Sequence, residues 1–547
     1  MSLASALRDA AFRWIAEDVD PDDGMELQTV LASAMAGNAE AADELAGRMS
    51  GPLTFGTAGL RGPVRAGPNG MNRAVVIRTT AGVGHWLRHH GHDGGVVVVG
   101  RDARHRSATF CDDTAAVLAA AGFDVRVLPE PLPTPVLAFA VRELHAVAGV
   151  QITASHNPPA DNGYKLYDDS GRQIAPPADR EIEAAIAAVG APRSVPRSGS
   201  HTTLGPDLLD AYLDRIAKLP RGNHRDVRIA LTPLHGVGGA VAVEALRRAG
   251  FTDVRVVRSQ AVPDPDLPTV AFPNPEEPGA TDELLALAKD SDADLAIALD
   301  PDADRCAVGV PGETGWRMLR GDETGPLLGE HILSTMDDED RPAALLATTI
   351  VSSALLGSIA RGHGARYAET LTGFKWLTRA GDGLVYAYEE ALGHCVDPDA
   401  VRDKDGISAA VLLASLAATA KAAGRTLPNL LDDLYIAHGV HLTEQVSIRF
   451  TEVAGIGALM ARLRADPPTE LAGERVDAED LLPRADVLRL TGDGIRVVVR
   501  PSGTEPKLKA YLEIVEPVRA AAELVAARTR AGTRLSGLRD DIAARLS

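Results

Sequence analysis

Cysteine, lysine, basic runs and long apolar runs are all scarce in this 547-residue chain, and each scarcity excludes something. Its three cysteines, Cys111, Cys306 and Cys395, lie far apart and form no CxxC pair. That rules out a disulfide framework and fits a reducing compartment. No cluster of Lys and Arg interrupts a formal charge of −19, so a polyanion would be repelled and nucleic acid is not an expected partner. The longest helix-like apolar stretch, residues 407–420, is broken by Ser and Thr and is too short to cross a bilayer. Arg8, Asp9 and Arg13 stand where a signal peptide would need an apolar core. The expectation is a soluble cytoplasmic protein with no membrane partner. Only eight of the 56 basic residues are lysine. Two of these, Lys375 and Lys507, fall inside the motif segments below, and Lys165, Lys404 and Lys509 lie close to them, which marks the five for work that a guanidinium cannot do.

What remains is ordinary globular composition, 45% hydrophobic and 24% charged, in a chain long enough for three or four domains. Strand-like runs at residues 96–99, 227–231, 295–299, 344–350 and 384–388 alternate with helix-like stretches, the rhythm of βαβ units. The last hundred residues differ, with strands expected at 440–450, 495–499 and 507–515 around helices. Linkers are expected at residues 191–205, 320–325 and 437–441, and the first 50 residues read as a helical extension.

Four segments carry chemistry. Thr153-Ala154-Ser155-His156-Asn157-Pro158 follows a buried strand at residues 147–152, so Ser155 stands at a sharp turn with its hydroxyl exposed and a proton-handling histidine beside it. Asp300-Pro301-Asp302-Ala303-Asp304-Arg305 closes another strand with three carboxylates at alternate positions. Such crowding repels unless a cation binds, and a hard divalent ion suits it. A calcium EF-hand is excluded, because Arg305 and Pro311 occupy the places of its Gly and Glu. Arg500-Pro501-Ser502-Gly503-Thr504-Glu505-Pro506-Lys507 offers a guanidinium fork, two hydroxyls and an approachable backbone to an anion such as phosphate. Tyr388-Glu389-Glu390-Ala391-Leu392-Gly393-His394 places two carboxylates and a histidine at a strand end, suited to sugar hydroxyls. Two glycine-rich segments carry less. Phe55-Gly56-Thr57-Ala58-Gly59-Leu60-Arg61-Gly62 lacks a P-loop ending, and His235-Gly236-Val237-Gly238-Gly239 has Val241 where a dinucleotide fingerprint needs glycine.

Together these segments resemble the α-D-phosphohexomutase superfamily (the phosphoglucomutase/phosphomannomutase family), in the family's order, from about residue 50 to the C-terminus. Phe55-Gly56-Thr57-Ala58-Gly59-Leu60-Arg61, Leu371-Thr372-Gly373-Phe374-Lys375-Trp376 and Tyr388-Glu389-Glu390-Ala391-Leu392 look like the branch of phosphoglucomutase-2, phosphopentomutase and glucose-1,6-bisphosphate synthase. Leu392 departs from the hexomutase pattern, which has a sugar-contacting serine there.

The resemblance implies an α/β protein of four domains around a central cleft, three similar α/β domains with mixed sheets plus a C-terminal α+β domain. These would be a helical extension at 1–50, domain I at 51–205, domain II at 206–322, domain III at 323–440 and domain IV at 441–547. It implies a mutase that interconverts sugar 1- and 6-phosphates, those of glucose or mannose, through phosphorylated Ser155 and a bisphosphate intermediate. Ser155, His156, Lys165, Arg61 and His394 would be catalytic. Asp300, Asp302, Asp304 and the phosphoserine would hold Mg²⁺. Arg305, Lys375, Glu390, Arg500, Ser502, Gly503 and Thr504 would bind the sugar phosphate. Glucose 1,6-bisphosphate would be the activator, and the protein a monomer or homodimer. The alternatives are phosphopentomutase or bisphosphate synthase activity, and, from another class, a metal-dependent sugar phosphatase. The phosphate loop of residues 500–504 counts against the phosphatase, which needs no second phosphate grip.

Overall fold

The structure, a computed structural model, describes residues 3–56, 59–312, 315–450, 453–501 and 507–546. They group into two compact units, one of residues 1–220, 227–309 and 395–414, the other of residues 221–226, 310–394 and 415–547.

The first unit opens with three helices, Ser5–Glu17, Pro21–Met35 and Ala39–Arg48. Their apolar faces meet around Ala11, Leu27, Leu31 and Leu45. Asp20 and Asn38 cap the second and third by accepting backbone N–H bonds, as short polar side chains do at helix starts. A six-stranded sheet follows, ordered Leu60–Pro63, Asp161–Asp168, Ala148–Ile152, Val96–Arg101, Asp124–Val127, Thr202–Thr203. The first two neighbouring pairs are antiparallel and the other three parallel, so the sheet is mixed. Four successive valines make Val96–Arg101 a central strand, since β-branched side chains fill both buried faces. In the second sheet Ile229–Thr232 pairs in parallel with Val254–Val256 and Leu295–Leu299, and Leu295–Leu299 pairs antiparallel with Cys306–Gly312.

In the second unit a sheet runs Arg366–Thr370, Leu345–Thr349, Leu384–Glu389, Gly393–Cys395, with Leu345–Thr349 parallel to both of its neighbours. The C-terminal sheet is antiparallel, ordered Val440–Arg449, Lys507–Glu516, Ile495–Pro501, Leu488–Gly492, Glu474–Asp480, Glu470–Leu471. Val498 and Tyr511 of that sheet share a core cluster with Ile350 and Val351.

One expected linker is built into an element instead. Residues 320–325 begin the helix Gly321–Ser334, where Glu323 reaches back to the Arg320 N–H in a capping box. Residues 191–205 contain Thr202–Thr203, which pairs with Asp124–Val127 as an edge strand. No single described helix is long and apolar enough to cross a membrane, and Gly406–Ala422 passes that test only together with Leu427–His438, bent from it.

Candidate active site

Each chemistry-bearing segment of the first unit sits where a strand ends. Ala148–Ile152 and Asp161–Asp168 pair antiparallel up to Ile152 opposite Tyr164, and the turn joining them carries Ser155. Ser155 has φ +52°, a left-handed conformation uncommon for a residue with a Cβ. The Ser155 N–H donates to Thr153 Oγ1 at 2.9 Å, which helps to hold the turn. The hydroxyl is fully buried rather than exposed as the turn pattern suggests. It donates to Asp300 Oδ2 at 2.9 Å, accepts from Arg305 Nη1 at 2.8 Å and lies 3.3 Å from His156 Nδ1. Asp300 and Arg305 lie on the turn after Leu295–Leu299, far from Ser155 in sequence, so the serine turn read alone suggests an exposed hydroxyl.

That second turn holds the carboxylates. Ala303 has φ +55°, and one oxygen each from Asp300, Asp302 and Asp304 lies within 4.8 Å of the others, all three residues buried. Lys165 Nζ sits 2.6 Å from both Asp302 and Asp304, and Lys404 Nζ lies 3.1 Å from Asp304. Arg305 Nη1 reaches Asp300 at 3.1 Å and Asp304 at 3.4 Å. Burial, with Asp302 and Asp304 adding their charge, pushes the Asp300 carboxyl up to about 7. Burial also opposes ionisation of Asp304, but Lys165, Lys404 and Arg305 outweigh it and hold that carboxyl well below its usual range. Asp302 is lowered as well, where Lys165 and Thr134 overcome burial and the Asp304 charge.

The donor set fits a hard divalent ion. All three candidates are carboxylate oxygens, the type Mg²⁺ takes. Asp302 Oδ1 is buried with no hydrogen-bond partner among the described residues, which is costly for an ionised oxygen unless a cation meets it.

His156 is half-buried and accepts at Nδ1 from Arg305 Nη1 at 2.7 Å. Burial, then the charges of Arg305 and Arg61, hold its pKa well below 6.5, so the ring is neutral at physiological pH. Arg61, on Leu60–Pro63, donates to Asn157 Oδ1 at 3.2 Å, and its buried Nε has no hydrogen-bond partner among the described residues.

The remaining expected residues lie in the second unit. Glu390 follows Leu384–Glu389 and accepts from Ser352 Oγ at 2.9 Å and Thr349 Oγ1 at 3.2 Å. Burial, then Asp322, raises its pKa. His394 is buried and stacked with Tyr386 and Tyr388, its Nδ1 3.0 Å from Tyr386 Oη. Leu392, in the place of the hexomutase serine, is buried with φ +66°. Lys375 stands half-buried on the short helix Phe374–Leu377. Arg500 lies near the end of Ile495–Pro501, directly across the ladder from Lys509. Ser502, Gly503 and Thr504 lie outside the described residues, as do Thr57 and Ala58 of the glycine-rich segment.

The family models for phosphoglucomutase/phosphomannomutase match the chain in four consecutive pieces. The alpha/beta/alpha domains I, II and III match residues 52–193, 210–313 and 320–437, and the C-terminal domain matches residues 456–531. The chain belongs to the phosphoglucomutase/phosphomannomutase family. A "Probable phosphomannomutase" of Haemophilus influenzae is 41% identical over 455 residues, covering 81% of this chain and 93% of its own length. A phosphoglucomutase of Staphylococcus aureus is 33% identical over 504 residues, covering 85% and 90%. A solved phosphoglucomutase/phosphomannomutase family protein of Burkholderia thailandensis has the same fold, with a TM-score of 0.66, 22% identity and coverage of 88% and 97%. The protein is a phosphosugar mutase of the α-D-phosphohexomutase superfamily, with the family's four α/β domains and an acidic cluster suited to a metal.

Several residues of this phosphohexomutase site escape motif reading. Thr134 Oγ1 donates to Asp302 Oδ2 at 2.5 Å, and the Thr134 N–H donates to the Asp302 carbonyl at 3.0 Å. Arg104 and Asp102 lie buried against the serine turn. Thr134 opens the helix Thr134–Glu143, and nothing in its neighbours marks it as more than a helix start. Lys404 lies in none of the chemistry-bearing segments, and the structure pairs it with Asp304.

Proposed function

We propose that the protein interconverts the 1- and 6-phosphates of a hexose, glucose first and mannose second, through a phosphoserine at Ser155. The observation that carries this reading is the setting of Ser155 Oγ, buried between Asp300 and Arg305 beside three clustered carboxylates. The names of the two relatives, "Probable phosphomannomutase" and "Phosphoglucomutase", support a hexose. The branch of phosphopentomutase and bisphosphate synthase is the alternative that Leu392 supports, because it removes a hydroxyl from the sugar loop.

In the first transfer, the bond from phosphorus to Ser155 Oγ breaks and a bond forms to the sugar hydroxyl oxygen. The hydroxyl proton passes to His156 Nδ1, the ring's one lone pair, which Arg305 Nη1 vacates as it turns to Ser155 Oγ. Charge released on Ser155 Oγ meets Arg305 Nη1 at 2.8 Å. The sugar bisphosphate then turns over, and its other phosphoryl group returns to Ser155 as the proton is given back. Asp300, Asp302 and Asp304 would hold Mg²⁺ together with the phosphoserine, and the ion would neutralise phosphoryl oxygens in transit. Lys165 keeps two of those carboxylates ionised. Arg61 presents its unpaired Nε to an incoming phosphate oxygen. Arg500 with residues 502–504 would grip the phosphate that is not reacting, Glu390 and Lys375 would hold the sugar, and His394 would join the catalytic groups around the reacting oxygens.

A coupled assay on glucose, mannose and ribose 1-phosphates, with glucose 1,6-bisphosphate present, tests the sugar. Intact-mass analysis tests the chemistry: wild type should carry one phosphoryl group and Ser155→Ala none. Wild-type turnover in Ser155→Ala would sink the reading.

A further inference from the structure

We propose that Arg104, seated on Asp102, is a positioning residue that holds the serine turn in its reactive shape. The proposal rests on the phosphoserine reading above. Arg104 lies in the turn after Val96–Arg101, and its side chain is almost fully buried, as is that of Asp102. Its two terminal nitrogens reach four backbone carbonyls of a single loop. Nη2 donates to the carbonyls of Ser155 at 2.7 Å and Asn157 at 2.5 Å, and Nη1 to those of Pro158 at 2.7 Å and Asp161 at 3.1 Å. These carbonyls span the turn from the nucleophile to the start of the next strand.

The turn has something to hold. Ser155 adopts φ +52°, and a residue with a Cβ stays there only where its surroundings over-determine it. Fixing the Ser155 carbonyl fixes the peptide plane that follows the nucleophile. A guanidinium suits this task, because its planar fork aims several N–H groups at once, whereas an ammonium offers three donors from one atom.

Arg104 is itself held in place. Asp102 Oδ2 lies 3.4 Å from its Nε, and Asp102 Oδ1 accepts from the Arg104 N–H at 3.0 Å and from Ser107 Oγ at 2.6 Å. Asn162 Nδ2 ties the turns together, donating to the His105 carbonyl and to Ser107 Oγ, both at 2.9 Å. The Asp102 N–H donates to the Ile152 carbonyl at 2.9 Å, which anchors the arrangement to the strand that ends at the serine turn. The four side-chain hydrogen bonds of Arg104 go to backbone carbonyls, not to Ser155 Oγ or the three aspartates, so it acts through the loop rather than on the reacting atoms.

The test uses full-length Arg104→Lys and Asp102→Asn beside wild type and Ser155→Ala. Dephosphorylated enzyme is mixed with glucose 1,6-bisphosphate, and phosphoserine formation is followed by intact mass in single turnover, with thermal melting and KM measured in parallel. In Arg104→Lys the rate should fall about a hundredfold, the scale of a misplaced reacting group, while KM moves less than about threefold. Asp102→Asn should show a smaller loss in the same step. A purely structural role would lower the melting temperature and the active fraction yet leave the phosphorylation rate of the folded fraction unchanged. That result, a wild-type rate in Arg104→Lys, or failure of both variants to fold would overturn the proposal. If wild type itself gains no phosphate at Ser155, the functional reading fails instead, and Ser155→Ala identifies that case.

Discussion

Buried charge dominates this protein at the scale of single residues, and its sign differs from place to place. In the first unit Asp300, Asp302 and Asp304 face Lys165, Lys404 and Arg305, three carboxylates against three cations. Such a set is costly to desolvate and is tolerated where function needs it. His331 is a different case. It lies buried on Gly321–Ser334, and its Nε2 has no hydrogen-bond partner among the described residues. Burial, then the charge of Arg221, depresses its pKa from 6.5 to about 4. Below the ordinary value the unfolded chain therefore takes up a proton that the folded chain refuses, and stability falls as pH drops from 6.5 towards 4. The full shift corresponds to about 3 kcal/mol. Buried acids such as Asp322, raised to about 6, act in the opposite direction over part of that window, so the comparison with a variant isolates the histidine. His331→Gln should gain roughly 2 kcal/mol relative to wild type between about pH 7 and about pH 4.5, read from urea unfolding at each pH. Parallel stability curves for the two proteins would refute the assignment.

Elements were legible wherever hydrophobic periodicity was strong. Leu295–Leu299 was expected at those residues, and the runs at 96–99 and 384–388 became Val96–Arg101 and Leu384–Glu389. Expectation failed where polar residues and glycine did structural work. Residues 320–325 resemble a linker in composition, but Gly321 is there for close approach: a Cβ would meet the Glu390 carbonyl oxygen at 2.1 Å. His235-Gly236-Val237-Gly238-Gly239 is not a dinucleotide site, and the structure shows what its first glycine does. A Cβ on Gly236 would lie 2.3 Å from Pro301 Cα, in the turn that carries the three aspartates. Backbone cannot yield as a side-chain tip can, so Gly236→Ala should push that turn away from its place. We expect about 1–3 kcal/mol of lost stability and about a tenfold higher Mg²⁺ concentration for half activity, the scale of one weakened ligand. Gly199→Ala, where a Cβ meets nothing within 4 Å, is the control and should change neither. An unchanged Mg²⁺ requirement in Gly236→Ala would show that the turn does not depend on this packing.

Across the whole molecule, contiguous motifs made the chemistry readable, and long-range partners stayed hidden. Asp300, Asp302 and Asp304 announce themselves because alternate positions in one turn bring carboxylates together. Thr134 and Arg104 do not, because what ties them to the site is a partner 168 residues away for the one and 51 for the other. The proposed roles also divide between the units: Ser155, His156, Lys165 and the aspartates belong to the first, while Glu390 and Arg500 belong to the second. Apart from His394, this division separates the proposed transfer roles from the proposed recognition roles, and variants can follow it. Arg500 stands opposite Lys509, and Arg449 opposite Lys507, on the same antiparallel sheet. Like charges directly opposed are unfavourable, an arrangement that a bound phosphate would relieve. Arg500→Lys should therefore raise KM for both the 1- and the 6-phosphate about tenfold, the equivalent of roughly 1.4 kcal/mol for a charge-assisted hydrogen bond. Glu390→Gln should lower kcat/KM by a similar factor, since a neutral amide accepts more weakly from sugar hydroxyls. In both variants Ser155 should still take a phosphoryl group from glucose 1,6-bisphosphate, as intact mass would show. A metal-dependent phosphatase would behave otherwise, hydrolysing sugar monophosphates with an Arg500→Lys KM equal to that of wild type. Loss of the phosphoserine in Arg500→Lys would instead mean that the second unit's guanidinium takes part in loading Ser155, and the division of roles would have to be redrawn.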